Sequence, residues 1–287
     1  MWHNRRQPQS LAEKPGSGQI RLSRKARSPT TVQACPESTG NNEGELAMHK
    51  SMLLVAASLI SMAPAIHASN DIDLSGIGSQ RSFNSLVDDL GTAIAYNPVA
   101  TAEPLGILGF ELGLSVTAYD LESDVWDQAV RDRDAPSLLA ATRLIGRKGL
   151  PAGFDIGVSW MNVPGSNISA LGGELRKALL DGTAATPAIS VMGHYSRLRG
   201  VDDLRVYSYG ADLSISKGFA MLTPYAGIGH VWYDGEERAG LGFSSHDDGT
   251  VRGYLGLKVA LLSFMNITAQ ADFAEIDSYS LRLDLGF

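Results

Sequence analysis

From about residue 106 onward the chain alternates between apolar and polar positions. Leu108, Phe110, Leu112, Leu114 and Val116 alternate with Gly109, Glu111, Gly113, Ser115 and Thr117. Phe154, Ile156, Val158 and Trp160 alternate with Asp155, Gly157 and Ser159, and Ile267, Ala269, Ala271 and Phe273 with Asn266, Thr268, Gln270 and Asp272. A period of two belongs to a strand with unlike faces. Ten such segments are predicted, at about 106–120, 138–148, 152–163, 166–180, 185–198, 204–217, 219–233, 250–262, 264–275 and 278–287. The last closes the chain with Tyr279, Leu281, Leu283, Leu285 and Phe287 on one face and Ser280, Arg282, Asp284 and Gly286 on the other. The connections near Gly149, Gly182, Gly218 and Ser263 are tight, whereas those at 121–137 and 234–249 are long and acidic. An even strand count brings the first strand's start and the last strand's end to one side. The predicted fold is all-β, a single antiparallel barrel of about ten strands over residues 106–287.

One segment before the barrel has a helical period instead. Over residues 82–95, Phe83, Leu86, Val87, Leu90 and Ile94 share a stripe, with Asp88 and Asp89 on the opposite side. Ser82 is the expected N-cap, and Asn97-Pro98 the stop. Residues 69–105 then read as a polar leader followed by a short amphipathic helix just ahead of the first strand. A polar lumen receives aspartates poorly, so docking at the barrel mouth or on the membrane surface is expected ahead of deep insertion.

Upstream, residues 52–65 form the longest apolar run, preceded by His49-Lys50 and followed by Ile66-His67-Ala68-Ser69. A basic flank, a short apolar stretch and small residues describe a secretory signal peptide over 48–68, cleaved after Ala68 or, alternatively, after Ala65. The run is shorter than the roughly 20 residues of a spanning helix. Residues 1–47 show neither period and are rich in Pro, Ser and Gly, the mark of a wrongly assigned or disordered extension. Translation is expected to start at Met48; Glu43-Gly44-Glu45 must be encoded by a purine-rich tract two codons ahead of it. From Ser69 on the chain has 16 Lys and Arg against 27 Asp and Glu, a net charge of −11. That balance excludes a nucleic-acid partner, which needs a cationic face. Cys35 is the only cysteine and precedes the signal, so neither disulfides nor thiol chemistry are expected downstream.

Alternation alone leaves two barrels open. In a soluble periplasmic barrel the apolar face surrounds an apolar ligand; in a membrane barrel it meets lipid. The signal peptide, the strand lengths, the loop asymmetry and the terminal aromatic favour lipid. Tyr119, Trp160, Tyr195, Tyr207, Tyr209, Trp232 and Tyr233 lie near strand ends and suit an interfacial girdle. The last strand resembles the C-terminal assembly signal of Gram-negative outer-membrane barrels, with Tyr279, Leu281, Leu283, Leu285 and Phe287 as its elements. A wider likeness runs from about residue 80 to 287. Phe83, Leu86 and Asp89-Leu90-Gly91, then Ala102-Glu103-Pro104-Leu105-Gly106 with Gly109-Phe110, are similar to the start of a group of uncharacterised proteobacterial outer-membrane β-barrel proteins. Lys148-Gly149-Leu150-Pro151, Gly173-Glu174-Leu175-Arg176, Ser216-Lys217-Gly218-Phe219 and Thr223-Pro224-Tyr225-Ala226-Gly227 fit the same group. The resemblance implies fold and location, the cell outer membrane. Lipid, the barrel assembly machinery and periplasmic chaperones are the implied partners, and no catalytic residue carries over.

Chemistry is sparse. The polar faces carry Glu111, Arg143, Asp155, Glu174, Arg176, Arg252, Lys258, Asp272, Arg282 and Asp284, in near balance of sign. Buried charges need partners, so an interior network is expected, with a narrow selective pore for a small solute as the sharper alternative. His194-Tyr195-Ser196 faintly resembles the His-x-Ser pair of outer-membrane lipid A deacylases, but no acid is near in sequence. His246-Asp247-Asp248 is similar to the Asp and His pairs of omptin proteases, in what reads as a solvated loop. That loop and the stretch from Asp120 to Asp134 offer at most weak cation sites without calcium-hand spacing. No phosphate loop, dinucleotide fingerprint or zinc spacing is present, and no catalytic, cofactor or metal residue is assigned. The expected role is non-enzymatic: a structural or surface barrel, or a narrow passive pore. A barrel enzyme acting on lipid or peptide is the alternative.

Overall fold

The computed structural model describes residues 71–121, 125–130 and 138–286; the extension, the signal peptide, Ser69, Asp134 and Phe287 lie outside them. Ten strands form one closed antiparallel barrel: β1 (Phe110–Asp120), β2 (Leu138–Leu150), β3 (Phe154–Asn162), β4 (Ser169–Asp181), β5 (Ala188–Arg199), β6 (Leu204–Ser216), β7 (Leu222–Glu237), β8 (His246–Leu262), β9 (Met265–Phe273) and β10 (Ser278–Gly286). Each strand pairs with its neighbours in sequence. β10 closes on β1 in a register running from Glu111 opposite Gly286 to Tyr119 opposite Ser278. Closure leaves no edge, and the backbone polar groups of the wall pair within the sheet, apart from register shifts at Ala178/Leu180 and Ala260/Leu262.

The apolar face points out. On β1, Phe110, Leu112 and Val116 are exposed while Glu111, Ser115 and Thr117 are buried inside. On β6, Tyr207, Tyr209, Ala211, Leu213 and Ile215 give an uncharged outer stripe nine residues long. Lys148 and Lys177 border the belt at one end, Arg197 and Arg205 at the other. Nine to eleven tilted residues match an apolar band of about 25 Å.

Two strand ends differ from the alternation pattern. β1 starts at Phe110 rather than 106, because residues 106–109 make a turn in which the Gly109 N–H donates to Gly106 O at 3.0 Å. Both ends of the acidic stretch 234–249 are strand, with Asp234 opposite Asp247 and Gly235 opposite His246, and 238–245 is the loop between them. β7 and β8 therefore extend as a hairpin past their neighbours. The turns at one end of the barrel run two to six residues, whereas the other end carries the longest connection, 121–137.

The helix α1 (Gln80–Ile94) begins two residues earlier than predicted, capped by Ser79, whose side chain accepts from Ser82 N. It sits inside the barrel, at the end with the long connections. This corrects the expected docking at the mouth or on the membrane surface. Phe83, Leu86, Val87, Leu90 and Ile94 are all buried, in one core with Tyr119, Leu139, Ala141, Met161, Val163, Ile168, Ala170, Leu198, Leu204, Val206, Val231 and Tyr233. These are inward positions at or just beyond the ends of strands, so the lumen is mostly apolar at this level, with Arg143 reaching Ala93 O and Met161, and most of its charge lies below. Tyr119 and Tyr233 thus belong to the collar, not to a girdle; Trp160, Tyr195, Tyr209 and Trp232 do face outward. Gly91 lets the helix lie flat on β7: a Cβ there would come within 2.4 Å of the Tyr233 ring. The second helix, α2 (Val125–Ala129), covers α1 and donates from Trp126 Nε1 to Asp89 Oδ2 at 2.7 Å, so Asp89 is buried and bonded, not on a wet face.

Each of the five stripe side chains contributes about 1.5–3 kcal/mol through burial. Truncating Leu90 to Ala should therefore loosen α1 by about 2–5 kcal/mol. Hydrogen exchange of the helix amides in the assembled barrel measures this: faster exchange over α1 with unchanged strand protection is the expected result.

Candidate functional site

After α1 the chain descends the lumen as a drawn-out run without helix or strand, with Val99 at φ 48°. Ala95 leaves the helix (φ −49°, ψ 141°), and Pro98 keeps Asn97 out of helical geometry. Descending contacts trace the path. Tyr119 Oη donates to Ala93 O at 2.9 Å near the loop end. Arg252 Nη1 donates to Tyr96 O at 3.2 Å, Asn97 Nδ2 to Asp272 Oδ2 at 3.0 Å, and Gln270 Nε2 to Asn97 Oδ1 at 2.9 Å. Arg282 donates to Pro98 O. Lower, Arg176 Nη1 donates to Thr101 O at 2.5 Å, Ala102 N to Ser216 Oγ at 3.1 Å, and Leu105 N to Asp155 Oδ1 at 3.1 Å. Tyr96 is fully buried, its hydroxyl beside Gly157, where a Cβ would come within 2.7 Å. The segment is a plug, and its backbone carbonyls satisfy arginines of the wall.

Around it most of the charges form two groups. Arg147 Nε donates to Glu174 Oε1 at 2.7 Å, its Nη1 to Glu111 Oε1 at 3.2 Å, and its Nη2 lies 3.5 Å from Asp155 Oδ2. Glu111 also accepts from Arg282, with Lys258 Nζ 4.0 Å away. Arg282 Nε lies 3.7 Å from Asp284, and Arg176 bonds Glu174 Oε2 at 3.4 Å. A second group joins Arg252 Nη2 to Asp212 Oδ2 at 2.7 Å, and His194 Nε2 lies 3.3 Å from the same oxygen. Arg143 stands apart, under Ala93 O at 3.5 Å. Of the predicted set, Glu111, Arg143, Asp155, Glu174, Arg176, Arg252, Asp272, Arg282 and Asp284 are buried inside, and Lys258 is inside but partly open. Sequence reasoning missed Arg147 and Asp212, which hold the two groups together. Arg147 shares the parity of Arg143, and Asp212 that of Ser208 and Ser214, so strict use of alternation finds both.

His194 and Ser196 both face this packed interior. Asp212 supplies the acid that is distant in sequence, and the Ser196 side chain is buried. At the loop end, Asp88 of α1 meets His246, Nε2 to Oδ1 at 2.7 Å. Half-burial holds the Asp88 carboxyl above its ordinary value, with the His246 contact pulling the other way. In the last strand, Tyr279, Leu281 and Leu285 are exposed on the outer face.

No protein family and no curated protein matches this chain. Among solved structures it is similar to the N-terminal β-barrel domain of OprF from Pseudomonas aeruginosa (12% identity, TM-score 0.35, 63% of this chain and 99% of that one). It is similar also to the outer membrane protein OprG from Pseudomonas aeruginosa (13%, 0.33, 66% and 99%) and to KdgM porin (11%, 0.34, 62% and 99%). The fold assignment rests on the strand pairing itself.

Proposed function

We propose that this chain is an integral outer-membrane β-barrel, closed by its own N-terminal segment, with a structural or surface role rather than that of an open pore or an enzyme. The observation that carries the reading is the plug: a helix in an apolar collar, then a drawn-out run bonded to wall arginines at successive depths. A passive pore needs a continuous water path, and the plug crosses this lumen, first bedded in the apolar collar and then bonded to the wall at successive depths. The outward apolar belt supports lipid contact over a soluble ligand-binding barrel, whose apolar face turns inward. The two longest connections, 121–137 and 238–245, lie at one end and turns of two to six residues at the other, which supports the extracellular and periplasmic assignment of the two ends. On that assignment the segment at Asp71 emerges at the cell surface, because Ile72 N donates to Asn167 Oδ1 at 3.0 Å and Asp73 N to Ala129 O at 2.8 Å among the long connections.

The protein should fractionate with outer membranes and migrate faster unheated than boiled, since a closed barrel resists detergent. An epitope tag placed just before Asp71 should be reached by antibody on intact cells. Recovery as soluble periplasmic protein would overturn the placement; a tag reached only after permeabilisation would reverse the assigned ends.

A further inference from the structure

Where α1 meets the β7–β8 hairpin, three ligating side chains converge that the lumen network does not use. His246 and Asp248 are two apart on β8, so both point to the same side of the strand. Asp88 approaches that side from α1. One donor atom from each of the three lies within 4.8 Å of the others. The donors come from positions 158 residues apart; Asp88 and His246 already touch at 2.7 Å, and the backbone that carries each is seated by other contacts. The collar seats α1, while pairing of Gly235 with His246 and Tyr233 with Asp248 fixes the strand. Two strand residues at i and i+2 with a third from a facing element make a tripod, with the remaining positions open to water from the loop end.

We propose that Asp88, His246 and Asp248 bind a first-row divalent cation of the Zn²⁺ type, fastening the plug helix to the hairpin. One neutral imidazole and two carboxylates suit Zn²⁺ or Co²⁺. Ca²⁺ takes six to eight oxygens and has no use for the nitrogen. A dication also neutralises the two carboxylates, and water fills the open coordination sites. The proposal rests on the helix being seated at this end of the barrel, but it is read out by the ion alone. Conductance reports separately on the plug.

The test uses the mature chain without a histidine tag, purified in detergent. ZnCl2 titrated calorimetrically should bind with one ion per chain, and CoCl2 should give a visible ligand-field absorption. His246→Ala and Asp88→Asn should each weaken binding at least about tenfold. Asp247→Asn, exposed on the other side of β8, should leave it unchanged. CaCl2 at the same concentrations should not compete. Absence of a saturable site in the wild type overturns the proposal. So does undiminished binding in both variants when they still show the band shift of a folded barrel. An equal loss in Asp247→Asn would reduce the effect to diffuse attraction by an acidic loop, and would overturn it too.

Discussion

A chain beginning at Ala102 should conduct ions where the full mature chain is silent. The shortened chain loses α1 and the drawn-out run through Thr101, which together occupy the lumen from the apolar collar to below mid-height. Arg143, Arg252, Arg282 and Arg176 then lose the carbonyls of Ala93, Tyr96, Pro98 and Thr101 and turn to water. Eight strands enclose a volume that side chains fill, and sixteen leave an aqueous channel. Ten strands with the plug removed fall between, so the openings should be small. The described inward-facing side chains include six cations (Arg143, Arg147, Arg176, Arg252, Lys258, Arg282) and six carboxylates (Glu111, Asp155, Glu174, Asp212, Asp272, Asp284). Near balance predicts weak discrimination between anions and cations, hence a reversal potential close to zero in a salt gradient. Planar-bilayer recording of both chains decides it, with the unheated band shift showing that the shortened chain has closed. A milder variant, Gly91→Trp, drives the helix off the Tyr233 ring without shortening the chain and should give intermittent openings. Large stable conductance in the full chain would refute the sealed lumen. Silence in the shortened and Gly91→Trp chains alike would deny the plug a closing role.

The wall of this barrel is readable from parity, and the plug is not. Alternation holds along the wall, apart from register shifts at Ala178/Leu180 and Ala260/Leu262, because each residue faces either the outside or the lumen, so strand number, order and the two faces follow from the sequence. Depth does not. Glu111 and Tyr119 share one face of β1, yet Glu111 lies in the charge network and Tyr119 in the apolar collar. Treating the lumen as uniformly polar made deep insertion of an amphipathic helix look costly. In fact its stripe meets Leu139, Met161, Leu198 and Val231 at the one level where the lumen is mostly apolar. The partners of several wall arginines are backbone carbonyls of residues 93–101, which no side-chain pattern reveals. His246 reads as a loop residue in the sequence because the hairpin past the neighbouring strands carries Asp, Gly and Glu, which also mark loops. Its pairing with β7 is set by the register inherited from the strands below.

Glu111→Gln should cost about 3–5 kcal/mol of barrel stability, far more than loss of any surface charge. The carboxylate lies between Arg147 and Arg282, bonded to both, with Lys258 at 4.0 Å, and it is almost wholly shielded from solvent. Glutamine keeps the shape but removes the charge that compensates two buried guanidiniums. Arg147 retains Glu174 at 2.7 Å and Asp155 at 3.5 Å. Arg282 is left with Pro98 O and an Asp284 oxygen at 3.7 Å, so most of the cost falls there. Glu236→Gln removes the exposed partner of Arg205, at 2.8 Å, and should cost only about 0–1 kcal/mol. Urea unfolding in lipid vesicles, followed by the band shift, measures both. The double variant Glu111→Gln/Arg282→Met should recover part of the loss, because a buried apolar side chain leaves no uncompensated charge. A Glu111→Gln barrel within about 1 kcal/mol of wild type would mean that water already screens the network, and that the lumen is wetter than its packing implies.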